Sequence, residues 1–419
     1  MPARIIVGKL FAYLSIHIPL SKQKPNSPAS PAYSVAPNRV FGFINHPPKI
    51  LVVVTRRIGD VLLTTPLIRS VRRAWPEARI DALVFAGTEG ILVGNPDLNQ
   101  VVTVTQRPPL LQHLRFLLRL WRSYDLALSV IPGDRPTLYA RIAGKHSAGL
   151  VVAGGKHRWK KWLLSQSVQF DNINTHTVLM HLKLADLLSL PRHHEVVVAW
   201  SKEDEEQVRK LLPFDLETQA YAVLHVHPMF IYKAWRREAW AELAHWLSRQ
   251  GARVVLTGSN RADELDYIRD LMNLLPSDVV NAAGQLGLSE VACLLSRARA
   301  YVGPDTVVTH LAAAVGSPTV ALFGPSNPVK WGPWPRGYIS DENPFRLKGT
   351  QRVNNVILMQ GEGSCVPCFQ EGCERHTASL SACLQELPAS RVIAAVQELW
   401  LAYPAAVPRP GLHPVTNGK

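Results

Sequence analysis

Gly303-Pro-Asp-Thr-Val-Val-Thr-His-Leu-Ala-Ala-Ala-Val-Gly-Ser-Pro-Thr-Val-Ala-Leu-Phe-Gly-Pro325 decides the reading of this chain. The strand-like run Ala300 to Val302 enters Gly303-Pro304, Asp305 stands where a helix would begin, and small residues continue that helix to Val315. A buried strand follows from Thr319 to Phe323. Strand, tight turn and helix in this order leave unpaired backbone N–H groups and the positive end of the helix dipole at Asp305–Val307, a seat suited to phosphate. His310 falls near the first turn of the same helix and within reach of the same anion. A plain capping role for Asp305 and ordinary packing for Leu311–Ala314 are the competing explanations.

The same alternation of strand and helix extends in both directions. Upstream it runs from Lys49 through strands Ile50–Thr55, Arg79–Phe85, Gln100–Val104 and Leu126–Val130, with helices up to Trp75 and over Leu110–Trp121. Between Pro132 and His194 only Thr175–Leu188 reads as helix. Ser201 followed by Lys-Glu-Asp-Glu-Glu marks a helix start with acids in its first turn. A second series begins at Ala220, with strands Tyr221–Val226, Arg253–Leu256, Asp278–Asn281, Ala300–Val302 and Thr319–Phe323. Its helices are expected over Arg237–Gln250, Asp263–Leu274, Ser289–Arg297 and Thr306–Val315. Such alternation predicts an α/β protein of two doubly wound halves with a cleft between them, where ligands collect beyond the carboxyl ends of the strands. A helix over Ala389–Tyr403 is expected to pack back across the hinge. The implied divisions are an extension over 1–48, a first domain over 49–218, a second over 219–388, and a helix and tail over 389–419.

At 419 residues and 47% hydrophobic, the chain has enough apolar surface for two cores. Its 46 basic against 32 acidic residues give a net charge of +14, so its partners should be anionic. Nucleic acid loses ground because no nucleic-acid motif accompanies the basic stretches Arg69–Arg73 and Lys156–Lys161. The basic-aromatic run His157–Trp162 fits a membrane surface or an acidic glycan, with a solvated helix face as the plain alternative. No apolar run reaches the roughly 18 residues of a membrane span. Residues 1–20 are basic and apolar, and Ser21–Pro48 is rich in Pro, Ser and Asn. The pattern fits a membrane-touching tail with a disordered linker better than a signal peptide, while a start codon assigned too far upstream stays open.

Three turns carry chemistry. Arg56-Arg57-Ile58-Gly59-Asp60 follows the opening strand, with Thr64-Thr65-Pro66 one turn on. There Asp60 is a candidate general base, with N-capping as its bland alternative, and the arginines are candidate holders of acidic acceptor groups. Lys233, after the first strand of the second half, is placed to neutralise a phosphate and stabilise a departing diphosphate. The third turn is Gly303 to His310, with Thr257-Gly258-Ser259 at a neighbouring strand end available to a nucleotide. There is no G-x-G-x-x-G after a strand, and Gly144-Lys145 lacks the surroundings of a Walker loop, so hydride transfer and NTP hydrolysis recede. Cys365-x2-Cys368-x4-Cys373-x2-His376, with Cys383 further on, has spacing for tetrahedral zinc; scattered free thiols are the alternative.

Taken together, these motifs resemble the glycosyltransferase family 9 enzymes, the ADP-heptose:lipopolysaccharide heptosyltransferases. The motifs are Arg57-Ile-Gly-Asp60 with Thr65-Pro66, Lys233-Ala-Trp235, Gly303-Pro-Asp-Thr306 through His310, and Leu322-Phe-Gly-Pro325 followed by Asn327-Pro328 and Trp331-Gly-Pro333. The resemblance spans roughly 49–400. It implies a GT-B fold of two Rossmann-like domains, acceptor first and donor second, and inverting sugar transfer with no metal or other cofactor needed for catalysis. Asp60 then matches the general base. Lys233 matches the donor-phosphate lysine, and Asp305, Thr306 and His310 match the donor-binding helix start. Read from their places in the turns, Thr257, Gly258, Gly303 and Val307 join the expected donor side, and Arg56, Arg57, Gly59 and Thr65 the expected acceptor side. Val307 stands where the family often has Gly, and Arg236 where many relatives have Pro. The implied partners are a nucleotide-sugar donor, ADP-heptose in the family, a lipid-linked anionic glycan and, peripherally, the inner face of the cytoplasmic membrane, with the protein in the cytoplasm; a structural zinc at Cys365, Cys368, Cys373 and Cys383 is the expectation from the cysteine spacing alone. A nucleotide-sugar epimerase and a non-catalytic glycan- or membrane-binding protein are the rival readings.

Overall fold

Ile50–Val54 is wholly apolar and largely β-branched, which suits a strand covered on both faces, and all five residues are fully buried. The computed structural model describes residues 47–152 and 158–404, so the expected N-terminal tail, apart from Pro47 and Pro48, lies outside the described residues, as do Lys156, His157 and the end of the C-terminal tail. The first half runs β1 (Lys49–Val54), α1 (Ile58–Leu62), α2 (Thr65–Ala74), β2 (Arg79–Phe85), β3 (Gln100–Val104), α3 (Leu110–Leu120), β4 (Tyr124–Ser129), α4 (Asp134–Ala143), β5 (Gly144–Val152), α5 (Arg158–Leu163), β6 (Gln166–Phe170) and α6 (Thr177–Leu187). Its sheet is parallel throughout, in the order β3-β2-β1-β4-β5-β6.

The second half runs α7 (Lys202–Leu211), β7 (Tyr221–His225), α8 (Arg237–Arg249), β8 (Arg253–Thr257), α9 (Ala262–Met272), β9 (Val280–Asn281), α10 (Leu288–Arg297), β10 (Ala300–Pro304), α11 (Val307–Val315), β11 (Thr319–Phe323), α12 (Pro328–Trp331), β12 (Gln351–Val353), β13 (Val356–Gln360), α13 (Ala382–Gln385) and α14 (Ala389–Ala402). Its order is β12-β13-β11-β10-β7-β8-β9, with only β12 antiparallel. Without β12 this repeats the arrangement of the first half. Each sheet therefore reverses its winding once, between β1 and β4 and between β7 and β10. Such a switch point opens a crevice at the strand ends.

Two expectations change. The capping box of Ser201 and Asp204 starts α7 as foreseen, but α7 packs on α10, with Ser289 Oγ donating to Asp204 and Arg297 pairing with Glu205. Lys202–Leu211 thus joins the second sheet ahead of the expected boundary at 218. Helix α14 does not cross the hinge. It lies on α8, β10, β11 and β13, and Trp400 Nε1 donates to the Arg299 carbonyl at 3.0 Å.

Other elements join the halves. The apolar cluster over α2 and α6 continues into α10 and α11, and α1 touches α11. The loop before α6 grips the segment around α12. His176 Nε2 donates to the Gly332 carbonyl at 2.7 Å, Thr177 Oγ1 to the Lys330 carbonyl at 3.0 Å, and Asn327 Nδ2 to the Ile173 carbonyl at 2.8 Å. Trp334 packs against the His176 and His194 rings. Among the described residues, no helix is long and apolar enough to cross a membrane.

Candidate active site

The turn leaving β1 places Asp60 in the first turn of α1, where its carboxylate is buried and 3.4 Å from Arg56 Nε. It does not cap the helix: the N-cap is Arg57, with no side-chain cap bond. Burial pushes the Asp60 carboxyl above the ordinary carboxylate value, and Arg56, Lys330 and Arg57 pull against that rise without cancelling it. Gly59 lies inside α1 rather than in a left-handed turn. A Cβ built there would stand 3.8 Å from His310 Cδ2 of the second half. The Asp60 turn and α11 therefore lie side by side.

On the second half, β7 and β10 are neighbours, so the turns leaving them converge. Lys233 ends the short helical turn Ile231–Lys233, and its Nζ is 2.6 Å from Asp305 Oδ2 and 3.3 Å from the Asp305 carbonyl. Asp305 is therefore an ion-pair partner rather than a cap. The N-cap of α11 is Thr306, and Val307 is the first helical residue. Burial favours a neutral Asp305, yet Lys233, His310 and Ser326 together hold its carboxyl below the usual range. His310 is buried, its pKa lowered to about 4 by desolvation, and its Nδ1 has no hydrogen-bond partner. The Lys233 turn is braced from the C-terminal segment: Ser381 Oγ donates to the Tyr232 carbonyl at 2.6 Å and Gln385 Nε2 to the Ala234 carbonyl at 2.7 Å. Beside it, His227, Met229, Phe230, Ile231, Arg261, Asp263, Thr377 and Ala378 line a cavity of about 450 Å³.

Asp60, Gly59, His310, Asp305 and Lys233 are thus gathered across one cleft, with Arg57 reaching over it to stack 4.7 Å above the Phe230 ring. Four expected contacts take other forms. Thr65 is fully buried; its hydroxyl donates to the Leu62 carbonyl and accepts from Val197 N–H, leaving nothing for an acceptor. Thr257 turns its hydroxyl and carbonyl to His225 Nδ1, at 3.2 and 3.1 Å. A Cβ at Gly258 would strike Glu264 and Ile268, and one at Gly303 would enter the Tyr301 hydroxyl. Close packing inside the second half accounts for both glycines.

The expected zinc ligands are not assembled as a set. Among the described residues, no group of three or more His, Cys, Asp or Glu is arranged to hold a metal ion, and His376 pairs with Glu374. Cys365, Cys368, Cys373 and Cys383 are free thiols, and Cys373 Sγ accepts from Ala382 N–H. They nevertheless gather in one region. The Cys383 thiol is raised to about 11, first by burial and then by the other three.

Three residues that sequence reasoning passed over lie where the two halves meet. Lys330, on α12, has its pKa lowered to about 8 by burial and by Arg56, with Asp60 opposing; its Nζ donates to Asn172 Oδ1 at 2.5 Å. Its signal lay between the two quoted motifs Asn327-Pro328 and Trp331-Gly-Pro333. His181 donates from Nδ1 to the Leu63 carbonyl at 3.1 Å, which leaves its buried Nε2 as an acceptor without a partner. His176 accepts from Val178 N–H at Nδ1, capping α6, so its Nε2 carries the proton given to Gly332. Both histidines lay in or beside a helix already expected, and helical spacing does not single out an imidazole buried at the junction of the halves from one packed in a core.

Residues 123–347, more than half the chain, match the model of glycosyltransferase family 9 (heptosyltransferase). Lipopolysaccharide heptosyltransferase 3 of Escherichia coli K12 is 25% identical over 295 residues, covering 67% of this chain and 84% of that protein. Lipopolysaccharide heptosyltransferase 1 of Pseudomonas aeruginosa is 27% identical over 340 residues, covering 78% and 87%. Among solved structures, a family 9 glycosyltransferase from Veillonella parvula superposes with a TM-score of 0.70 at 19% identity, covering 86% of this chain and 99% of that one. The E. coli heptosyltransferase WaaC with ADP gives 0.63 at 20%, covering 84% and 99%. The twofold doubly wound architecture is the GT-B fold of these structures. On the match to more than half of its residues, this chain belongs to glycosyltransferase family 9 and is a glycosyltransferase.

Proposed function

We propose that the protein is an inverting heptosyltransferase that moves heptose from ADP-heptose onto a sugar of a lipopolysaccharide core. The names of its relatives supply the donor and acceptor classes. The observation that carries the reading is the close approach of the Asp60 turn to His310, which sets a carboxylate of raised pKa against a cationic seat formed by Lys233 and the start of α11. In this reading Asp60 takes the proton of the acceptor hydroxyl. The new oxygen–carbon bond then forms at the anomeric centre as the bond to the nucleotide diphosphate breaks on the opposite face. Lys233 and the first amides of α11 receive the charge growing on the diphosphate, the part a metal plays in other transferases. Arg56 and Arg57 attract the anionic acceptor. An acceptor carried on lipid puts the enzyme at the inner face of the cytoplasmic membrane.

The test is a transfer assay with purified protein, a panel of ADP-, GDP- and UDP-sugars, and a core oligosaccharide acceptor. Product should form with ADP-heptose and fall by about 100- to 10,000-fold in Asp60→Asn, with donor binding retained. Donor consumed without acceptor would identify an epimerase instead, and transfer unchanged in Asp60→Asn would remove Asp60 as base.

A further inference from the structure

Helix α3 is apolar on both sides. Phe116, Leu117 and Leu120 turn into the sheet with Tyr139 of α4, whereas Leu110, Leu111, Leu114, Leu118 and Trp121 point outward. The outward set recurs at three- and four-residue intervals, so it forms one stripe along the helix. Leu110 is 86% exposed and Leu118 68%. Helix α4 packs against both α3 and α5, so the three helices form one layer. On α5, Trp162 is 85% exposed. This is far more outward apolar surface than scattered single residues supply.

Cations flank the stripe. Arg115, Arg119, Arg122 and Lys161 are exposed, and neither 107–123 nor 158–163 contains a single carboxylate. Lys160 does not join them, since it is buried and paired with Asp134 at 2.7 Å. The charge decides between occupants. A second copy would bring one arginine-rich face onto another. Residues 1–46 and 405–419 also carry basic residues and no acidic ones, so either end of the chain would be repelled from it. A surface of anionic lipid headgroups over hydrocarbon complements both the cations and the leucines.

We infer that the α3–α5 layer, led by the Leu110–Trp121 stripe with Trp162, is the face that docks the enzyme on an anionic bilayer. This deepens the proposed function, in which the acceptor is lipid-linked, by naming the surface that meets the lipid. Leucine and tryptophan side chains enter the headgroup–acyl boundary while the arginines stay among the phosphates.

The experiment is co-sedimentation of the full-length protein with phosphatidylcholine vesicles, with and without phosphatidylglycerol. The unaltered protein should bind the phosphatidylglycerol vesicles and release them as salt is raised. Leu114→Glu/Leu118→Glu should lose about tenfold or more in vesicle affinity. Arg115→Gln/Arg119→Gln, which leaves packing untouched, should lose the preference for phosphatidylglycerol. Both should melt as the unaltered protein does and transfer sugar to a water-soluble acceptor at its rate. Vesicle binding unchanged in both double variants overturns the proposal, as does an unaltered protein that ignores both vesicle types. A stripe-dependent dimer in light scattering without vesicle binding overturns it too, in favour of a second copy. The two readings separate in the same preparation: if the unaltered enzyme shows no transfer while stripe-dependent vesicle binding persists, the transferase reading fails and the docking face stands.

Discussion

Three cations surround the Asp60 carboxylate, yet its pKa stays raised because burial outweighs them. Lys330 contributes to that balance from the second half, so removing it has a defined sign. Lys330→Gln takes away a charge that lowers the Asp60 pKa, and the acid limb of kcat/KM should move to higher pH. The unaltered enzyme should also show an inflection near about 8, where Lys330 loses its proton, and the variant should lack it. A pH–rate profile from 5 to 10 checks both; superimposable curves would put Lys330 outside the charge network. Lys233→Ala should weaken nucleotide-sugar binding by about tenfold or more, as loss of a charge-assisted contact does, and calorimetric titration reads this directly. Asp60 and Lys233 were legible from their places after strands. The partnership of Lys233 with Asp305 was not, because 72 residues separate them and only adjacent strands bring them together.

Glycines mark where element-level reading succeeds and fails. Strands Arg79–Phe85, Gln100–Val104 and Thr319–Phe323 fall where the sequence puts them, since each is a run without glycine or proline. The segment Asp134–Phe170, by contrast, hides α4, β5, α5 and β6. Within β5, Gly144 and Gly149 serve close packing: a Cβ at Gly149 would meet Leu164 Cδ1 at 2.8 Å, and one at Gly144 would meet Ala127 at 3.0 Å. The β12–β13 hairpin was also passed over, although Asn354-Asn355 ahead of the apolar run Val356–Met359 is a turn signal; Asn354 takes φ 46°. Gly303→Ala follows the same steric logic, with no room beneath the Tyr301 hydroxyl. It should cost about 1–3 kcal/mol in urea denaturation, and a variant as stable as the original would show that Tyr301 can move aside.

At the scale of the whole molecule, three buried imidazoles meet where the halves join. His176 is lowered to about 3, His181 to about 4 and His310 to about 4, in each case first by desolvation. Each is neutral in the fold and titrates near 6.5 when unfolded, so the unfolded chain binds more protons between 6.5 and the lowered values. Stability from these groups is intact above about 6.5 and is lost as pH falls through that window. The melting temperature should therefore drop between pH 7 and 4.5, and His181→Gln should make the drop shallower; equal slopes would mean that other groups govern acid unfolding. Protonating His176 at Nδ1 would also end its bond from Val178 N–H, loosening α6 at the point where it holds the Gly332 segment.

The Lys233–Asp305 pair has a consequence for selectivity. Because the lysine already holds an aspartate at 2.6 Å, an incoming anion enters as a competitor, not as a guest in an empty seat. A group with one negative charge gains little by trading places with Asp305, whereas a pyrophosphate bridge brings enough charge to win the exchange. In the proposed donor role the pair would then act as a threshold, favouring ligands that carry a diphosphate over monoanions.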